Sequence, residues 1–215
     1  MQEIEPLLPG ELYHIYNRGI NGEDLFREPR NYRFFLEKYA QYVAPFVDTF
    51  AYCLLKNLFH LLIRVKDFSL DPVGWATLAE ANGWSKPADA SRQFGHFFNS
   101  YTQAVNKSWH RTGGLFTRPF RREPIRSEAY FTRAIAYVQT NAQRHGFVPD
   151  FRTYPYSSYA SHLSDRPTLL ARQEVLNWFG NVAQYQLFHE TYFQNPSAAG
   201  FEIEVDEPGL PYANR

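Results

Sequence analysis

The sequence predicts an α+β fold, with helices packed on one face of an antiparallel sheet. Three observations carry this. Residues 11–18, ELYHIYNR, alternate apolar and polar side chains with period two. Residues 47–55 and 58–65 are two further strand-like runs, so close that a tight hairpin through Lys56-Asn57 is the natural join. Around them the apolar side chains switch to helical spacing.

In chain order, the first strand sets Leu12, His14 and Tyr16 on one face and Tyr13, Ile15 and Asn17 on the other. Gly19 and Gly22 supply a turn. Tyr32, Phe35, Leu36 and Tyr39 stand at i, i+3, i+4 and i+7, and Pro29 suits a first helical position; a helix is expected from Pro29 to about Val43, ended by Pro45. Residues 66–90 read as an insertion marked by Gly, Pro, Asp and Ser, with a short helical piece near 75–81. Ser91 is placed to cap a helix over 92–110, with Phe94, Phe97, Phe98, Tyr101, Val105 and Trp109 as its apolar stripe and Gly113-Gly114 beyond its end. Residues 115–125 read as a short edge strand, because Pro119 cannot donate within a central one. Ser127 caps a helix over 128–144, ended by Gly146 and Pro149. Helices near 171–179 and 181–193 and an acidic tail follow. The expected organisation is a domain over 1–150, interrupted at about 66–90, and a helical extension with the tail over 151–215.

Composition narrows the function classes. Hydrophobic content of 44% and charged content of 20% are those of a chain that buries a core, which excludes a disordered scaffold. Rings make up 18% of the residues, enough to fill a core and leave some to stack on bases or line a groove. Net charge is zero, so no whole-chain field announces a nucleic-acid partner. Cys53 is the single cysteine, which rules out an intramolecular disulfide and a cysteine zinc cage and fits a reducing compartment. The start MQEIEPLLPGE lacks a basic stretch followed by an apolar run, and no apolar run approaches the ~18 residues of a membrane span. A cytoplasmic protein without membrane contact is expected.

The 128–144 helix faces two ways. With about 100° per residue, Phe131, Ile135, Val138 and Ala142 form a core stripe, while Arg133, Tyr137, Asn141 and Arg144 share a second face away from it. That second face reads either as an ordinary solvated surface or as a nucleophilic tyrosine flanked by cations. A phenol with its usual pKa near 10 attacks phosphate poorly unless cations or a metal assist it. Local charge supports a phosphate partner. Between residues 107 and 144 stand Lys107, Arg111, Arg118, Arg121, Arg122, Arg126, Arg133 and Arg144 against Glu123 and Glu128, and eight minus two leaves +6. Seven of the eight cations are arginines, and they are interleaved with Trp109, His110, Phe116 and Phe120; guanidinium forks suit phosphates and rings suit unstacked bases. These eight residues are the candidate nucleic-acid contacts.

The stretches YHIYNRG (13–19), AYCLLKNLFHLLIRV (51–65), FFNSYTQAVNKSWHRTGGLFTRPFRR (97–122), AYVQTNAQRHGFV (136–148), YPYSSY (154–159) and VLNWFG (175–180) together resemble the IS200-like, REP-associated single-tyrosine transposases of the HUH endonuclease type. The resemblance runs in order over nearly the whole chain. It implies a ferredoxin-like core, recognition of hairpin or single-stranded DNA, and a divalent metal, Mg²⁺ or Mn²⁺. It also implies strand cleavage by tyrosine attack, leaving the tyrosine on a 5′-phosphate. Tyr137 falls on the nucleophile and Asn141, one turn on, on a polar metal-ligand position. The family's strand motif is histidine–hydrophobic–histidine after an asparagine. Here it reads Asn57-Leu58-Phe59-His60: His60 remains as a ligand and Leu58, on the same strand face, stands where the first histidine belongs. Loss of one imidazole is expected to weaken metal binding severely and to slow or abolish cleavage.

His14, Tyr16, Ser157 and Ser158 are read as structural, and His110 and His145 as phosphate contacts or solvated groups. The leading expectation is a DNA-binding protein with a degenerate metal motif. The alternatives are an active transposase in which water or another group replaces the missing ligand, and an RNA-binding domain on a ferredoxin-like sheet. Such transposases occur as swapped dimers and as monomers, so a homodimer and a monomer both stay open.

Overall fold

The computed structural model describes residues 6–82 and 89–195. One antiparallel sheet has the order β2–β3–β1–β4, from β1 (Leu12–Arg18), β2 (Val47–Leu55), β3 (Leu58–Val65) and β4 (Arg121–Pro124). Helix α1 (Pro29–Tyr42) joins β1 to β2. Helix α2 (Pro72–Asn82) lies in the insertion, and α3 (Ala90–Trp109) precedes β4. This is the ferredoxin-like βαββαβ order. Beyond it come α4 (Glu128–Arg144), α5 (Tyr159–His162), α6 (Arg172–Phe179) and α7 (Val182–Gln194). No helix among the described residues is long and apolar enough to cross a membrane.

Local chemistry sets the boundaries. Pro29 starts α1 behind a capping box of Glu28 and Asn31. The β2–β3 hairpin turns at Lys56-Asn57, whose carbonyls accept from Leu25, Phe26 and Gly19 and so tie down the loop after β1. Gly19 is obligatory there: a Cβ would meet the Glu23 carbonyl oxygen at 1.9 Å. The Ser127 hydroxyl accepts from the Tyr130 amide to cap α4, with Glu128 in the first turn and Arg144 in the last, as the helix dipole favours.

Three boundaries differ from the sequence reading. Asp89, not Ser91, caps α3; its carboxylate accepts from the Ser91 amide at 2.8 Å. The insertion carries an eleven-residue helix rather than a short piece. The edge strand is confined to four residues; residues 115–120 meet the end of β1 and the loop after it through a bridge between Gly19 and Phe116 and bonds from the Thr117 amide to the Arg18 carbonyl and from the Ile20 amide to the Leu115 carbonyl. The acidic tail lies outside the described residues.

The two sheet faces are covered by different helices. Tyr13, Ile15, Phe59, Leu61 and Ile63 pack with Tyr32, Phe35 and Tyr39 of α1 and Phe94, Phe97 and Tyr101 of α3. This is the expected helix layer. A second layer takes the other face, where Ala51, Cys53, Leu55, Leu58 and Leu62 pack with Phe131, Ile135, Val138 and Ala142 of α4 and with Tyr159, Val175, Tyr185 and Tyr192. Coverage on both sides explains why β2 and β3 read as almost continuous apolar runs.

A buried polar cluster fastens α4 to the C-terminal helices. One end of the Gln139 carboxamide lies 2.6 Å from Tyr185 Oη and 2.7 Å from His189 Nε2; the other lies 2.8 Å from Ser158 Oγ and 3.2 Å from His162 Nδ1. Burial lowers the His189 pKa to about 3 and lowers that of His162, so both rings are neutral at pH 7. His189 sets Nδ1 2.7 Å from the Tyr185 carbonyl and Nε2 2.7 Å from Gln139 Oε1, and the one N–H of the neutral ring serves one of the two acceptors. The Gln139 Oε1 accepts from the Tyr185 hydroxyl, and its Nε2 donates to Ser158 Oγ.

A pH dependence follows. Unfolded His189 takes up a proton near pH 6.5 and the folded ring does so only near 3. Its contribution is complete above pH 6.5 and is lost as pH falls from 6.5 towards 3, at about 1.4 kcal/mol per unit of pKa difference. Urea unfolding at pH 7, 5.5 and 4 is expected to show this decline, reduced in His189→Phe. An equal decline in that variant would place the sensitivity elsewhere.

Candidate active site

Tyr137 of α4 meets His60 of β3 on the α4 face of the sheet, where Leu58 also packs. Cross-strand register builds the floor. One row runs Cys53–His60–Tyr16–Arg121 and the next Ala51–Leu62–His14–Glu123. Directly paired residues share a face, so His14, Tyr16, His60, Arg121 and Glu123 all belong to the side that α4 covers. Leu58 is two positions from His60 on that face and is buried.

Above this floor stands Tyr137, 8% exposed, its ring centroid 5.8 Å from that of His60 and 6.1 Å from that of His14, both edge-on. The Arg144 guanidinium lies 5.9 Å from the Tyr137 centroid and 5.0 Å from that of Tyr192. Asn141 is fully buried, and among the described residues neither its Oδ1 nor its Nδ2 has a hydrogen-bond partner. Its neighbour Ala142 lies against the thiol of Cys53, the cross-strand partner of His60. The second face of α4 is thus not a solvated surface. It is closed between the sheet and α7, and only its outer members, Arg133 and Arg144, are partly exposed.

His14, read in sequence as structural, contacts His60 directly. Its Nε2 is 2.9 Å from His60 Nδ1, with both rings fully buried. The ring centroids are 5.1 Å apart and the planes 21° from parallel. That separation exceeds the N···N distance by about two ring radii, so the nitrogens face each other nearly in line, as in an N–H···N hydrogen bond. Tyr16 joins the row, its ring 5.0 Å from His14 and its hydroxyl donating to Glu123 Oε1 at 3.2 Å. In sequence His14 reads as structural and Glu123 only as one of two acids in the basic stretch. The signal for His14 was its period-two alignment with Tyr16; Glu123 carried none beyond its place on an edge strand.

These residues do not make the three-donor metal site that the resemblance implies. Leu58 offers no lone pair, and the nearest additional imidazole, His14, has its Nε2 against His60 Nδ1. Among the described residues no three His, Cys, Asp or Glu side chains group as a cation site. Leu58→His is expected to create Mn²⁺ binding measurable by calorimetry where the parent chain shows little. No gain would mean that the His14–His60 contact also keeps the ion out.

The cations divide by environment. Lys107, Arg118, Arg121 and Arg126 are exposed. Arg122 is half-buried and donates to Ser91 Oγ at 3.0 Å. Arg133 donates to the Ala129 carbonyl. Arg111 is held internally by an ion pair with Glu23 and by Asn106 Oδ1 at 2.6 Å, so its fork is committed to the fold.

Neither a family model nor a curated protein sequence matches this chain. A solved structure of a REP-associated tyrosine transposase bound to a REP hairpin superposes with a TM-score of 0.56 at 12% identity, over 78% of this chain and 88% of the other. This chain has the fold of a REP-associated tyrosine transposase. At that identity the likeness concerns the fold, and it extends through most of both chains rather than through the ferredoxin-like sheet alone.

Proposed function

We propose that the chain is a DNA-binding protein with a tyrosine-transposase fold that takes hairpin or single-stranded DNA at the β4 edge and the α4 face, and that it no longer cleaves the strand efficiently. The observation that supports this reading is the edge-on contact of the Tyr137 and His60 rings, on the helix that also carries the buried, partnerless Asn141 carboxamide. A buried amide without partners is costly and marks a place built for a ligand. Divalent metal, if bound, would be held by His60 and Asn141 and would polarise a phosphate oxygen. The protein's own part is to orient the strand: Arg144 supplies positive charge beside Tyr137, exposed Arg121 supplies it on β4, and the His14–His60 pair fixes the His60 ring.

The test is fluorescence anisotropy with a labelled single-stranded DNA hairpin, its stem paired and its flank unpaired. Tight binding that weakens steeply with salt is expected. Preference for an RNA hairpin of the same sequence would favour the RNA-binding alternative, and absence of binding to both would end the nucleic-acid reading.

A further inference from the structure

On the opposite side of β4 lies a cavity of about 620 Å³ between α3 and the 114–122 loop, within the ~300–1,000 Å³ of small-ligand sites. It belongs to the α1/α3 face: Arg122, which lines it, pairs with Ile15, whereas Arg121 and Glu123 face α4. Phe98, Phe116 and Phe120 form an aromatic lining, with centroids 4.9 Å (Phe98–Phe116) and 5.4 Å (Phe98–Phe120) apart. The Arg122 guanidinium stacks 4.0 Å over Phe120, and the exposed Arg118 stands at the rim. Asn17, Asn99 and Thr102 add neutral polar groups.

Gly95 is an exposed residue of α3 at the mouth of this space. It sits inside α3 and lines the cavity. Glycine within a helix is costly relative to alanine, and here neither packing nor backbone geometry requires it, since a Cβ would meet no atom within 4 Å.

We infer that this cavity is a pocket for one unpaired nucleobase and its adjoining phosphate, the base lying among Phe98, Phe116 and Phe120 and the phosphate meeting Arg118. The inference rests on the DNA-binding reading and deepens it. Rings beside guanidiniums are how sequence-tolerant sites hold extruded bases. A strand crossing the edge of β4 would meet Arg122 on one face of the sheet and Arg121 on the other, so pocket and tyrosine face would engage one molecule.

Gly95→Leu tests this without threatening the fold, because it fills open space and improves helix propensity. Two labelled DNA probes are compared by anisotropy on the full chain: a hairpin with an unpaired flank and the same hairpin with a blunt stem. The parent chain is expected to prefer the flanked probe. Gly95→Leu is expected to lose about tenfold in affinity for it, the size of one stacked base, to bind the blunt probe as before, and to melt no lower than the parent. Equal affinity of variant and parent for the flanked probe, with an unchanged melting temperature, would overturn the pocket and leave the DNA-binding reading intact. Failure of the parent to bind either probe would overturn both.

Discussion

Gln139→Leu is expected to lower stability by about 3–5 kcal/mol, although the replacement keeps similar size in a fully buried position. The carboxamide is the common partner of Tyr185, His189, Ser158 and His162. Removing it leaves several buried polar groups unpaired, each costing about 1–3 kcal/mol. Gln139 is two residues from Tyr137 on α4, so the same change should loosen the helix that presents the phenol. Chemical denaturation gives the size of the loss, and amide exchange along 128–144 shows whether α4 and α7 open together. A loss under about 1 kcal/mol would mean that α7 is held by its apolar contacts alone.

The second large effect concerns DNA affinity. Arg118, Arg121 and Arg126 are exposed and follow one another along the β4 edge and its flanks. Replacing all three with Gln removes up to three phosphate contacts at about 1 kcal/mol each, a loss on the order of a hundredfold in affinity at low salt. The slope of log K against log salt should fall by about 2, at roughly 0.7 per contact for a single strand. The same exchange at Arg111 should change affinity little, because that side chain is bound to Glu23 and Asn106. An equal loss from Arg111→Gln would show that local charge, rather than the exposed edge, decides binding.

Periodicity made the sheet, α1, α3 and α4 legible before any coordinates, because those elements bury faces whose spacing is written along the chain. Partners distant in sequence were not legible. Gln139 reads as an ordinary polar residue on α4; it is buried because Ser158, His162, Tyr185 and His189, 19 to 50 positions later, fold back onto it. Tyr137 and Asn141 share a helix face that spacing alone assigns to solvent, and the C-terminal helices and the sheet close it. The His14–His60 contact depends on the register between β1 and β3, which a one-residue slip would abolish. The substitution at Leu58, by contrast, was readable as soon as the strand motif was aligned, since period two fixes which residues share a face.

The most direct test of a DNA-binding protein that no longer cleaves efficiently is a covalent-adduct assay. A labelled single-stranded hairpin is incubated with the chain and Mn²⁺, then run on native and denaturing gels. The expected result is a retarded complex on the native gel with little or no adduct surviving denaturation, the same for the parent chain and for Tyr137→Phe. A strong denaturation-resistant adduct in the parent that vanishes in Tyr137→Phe would contradict it.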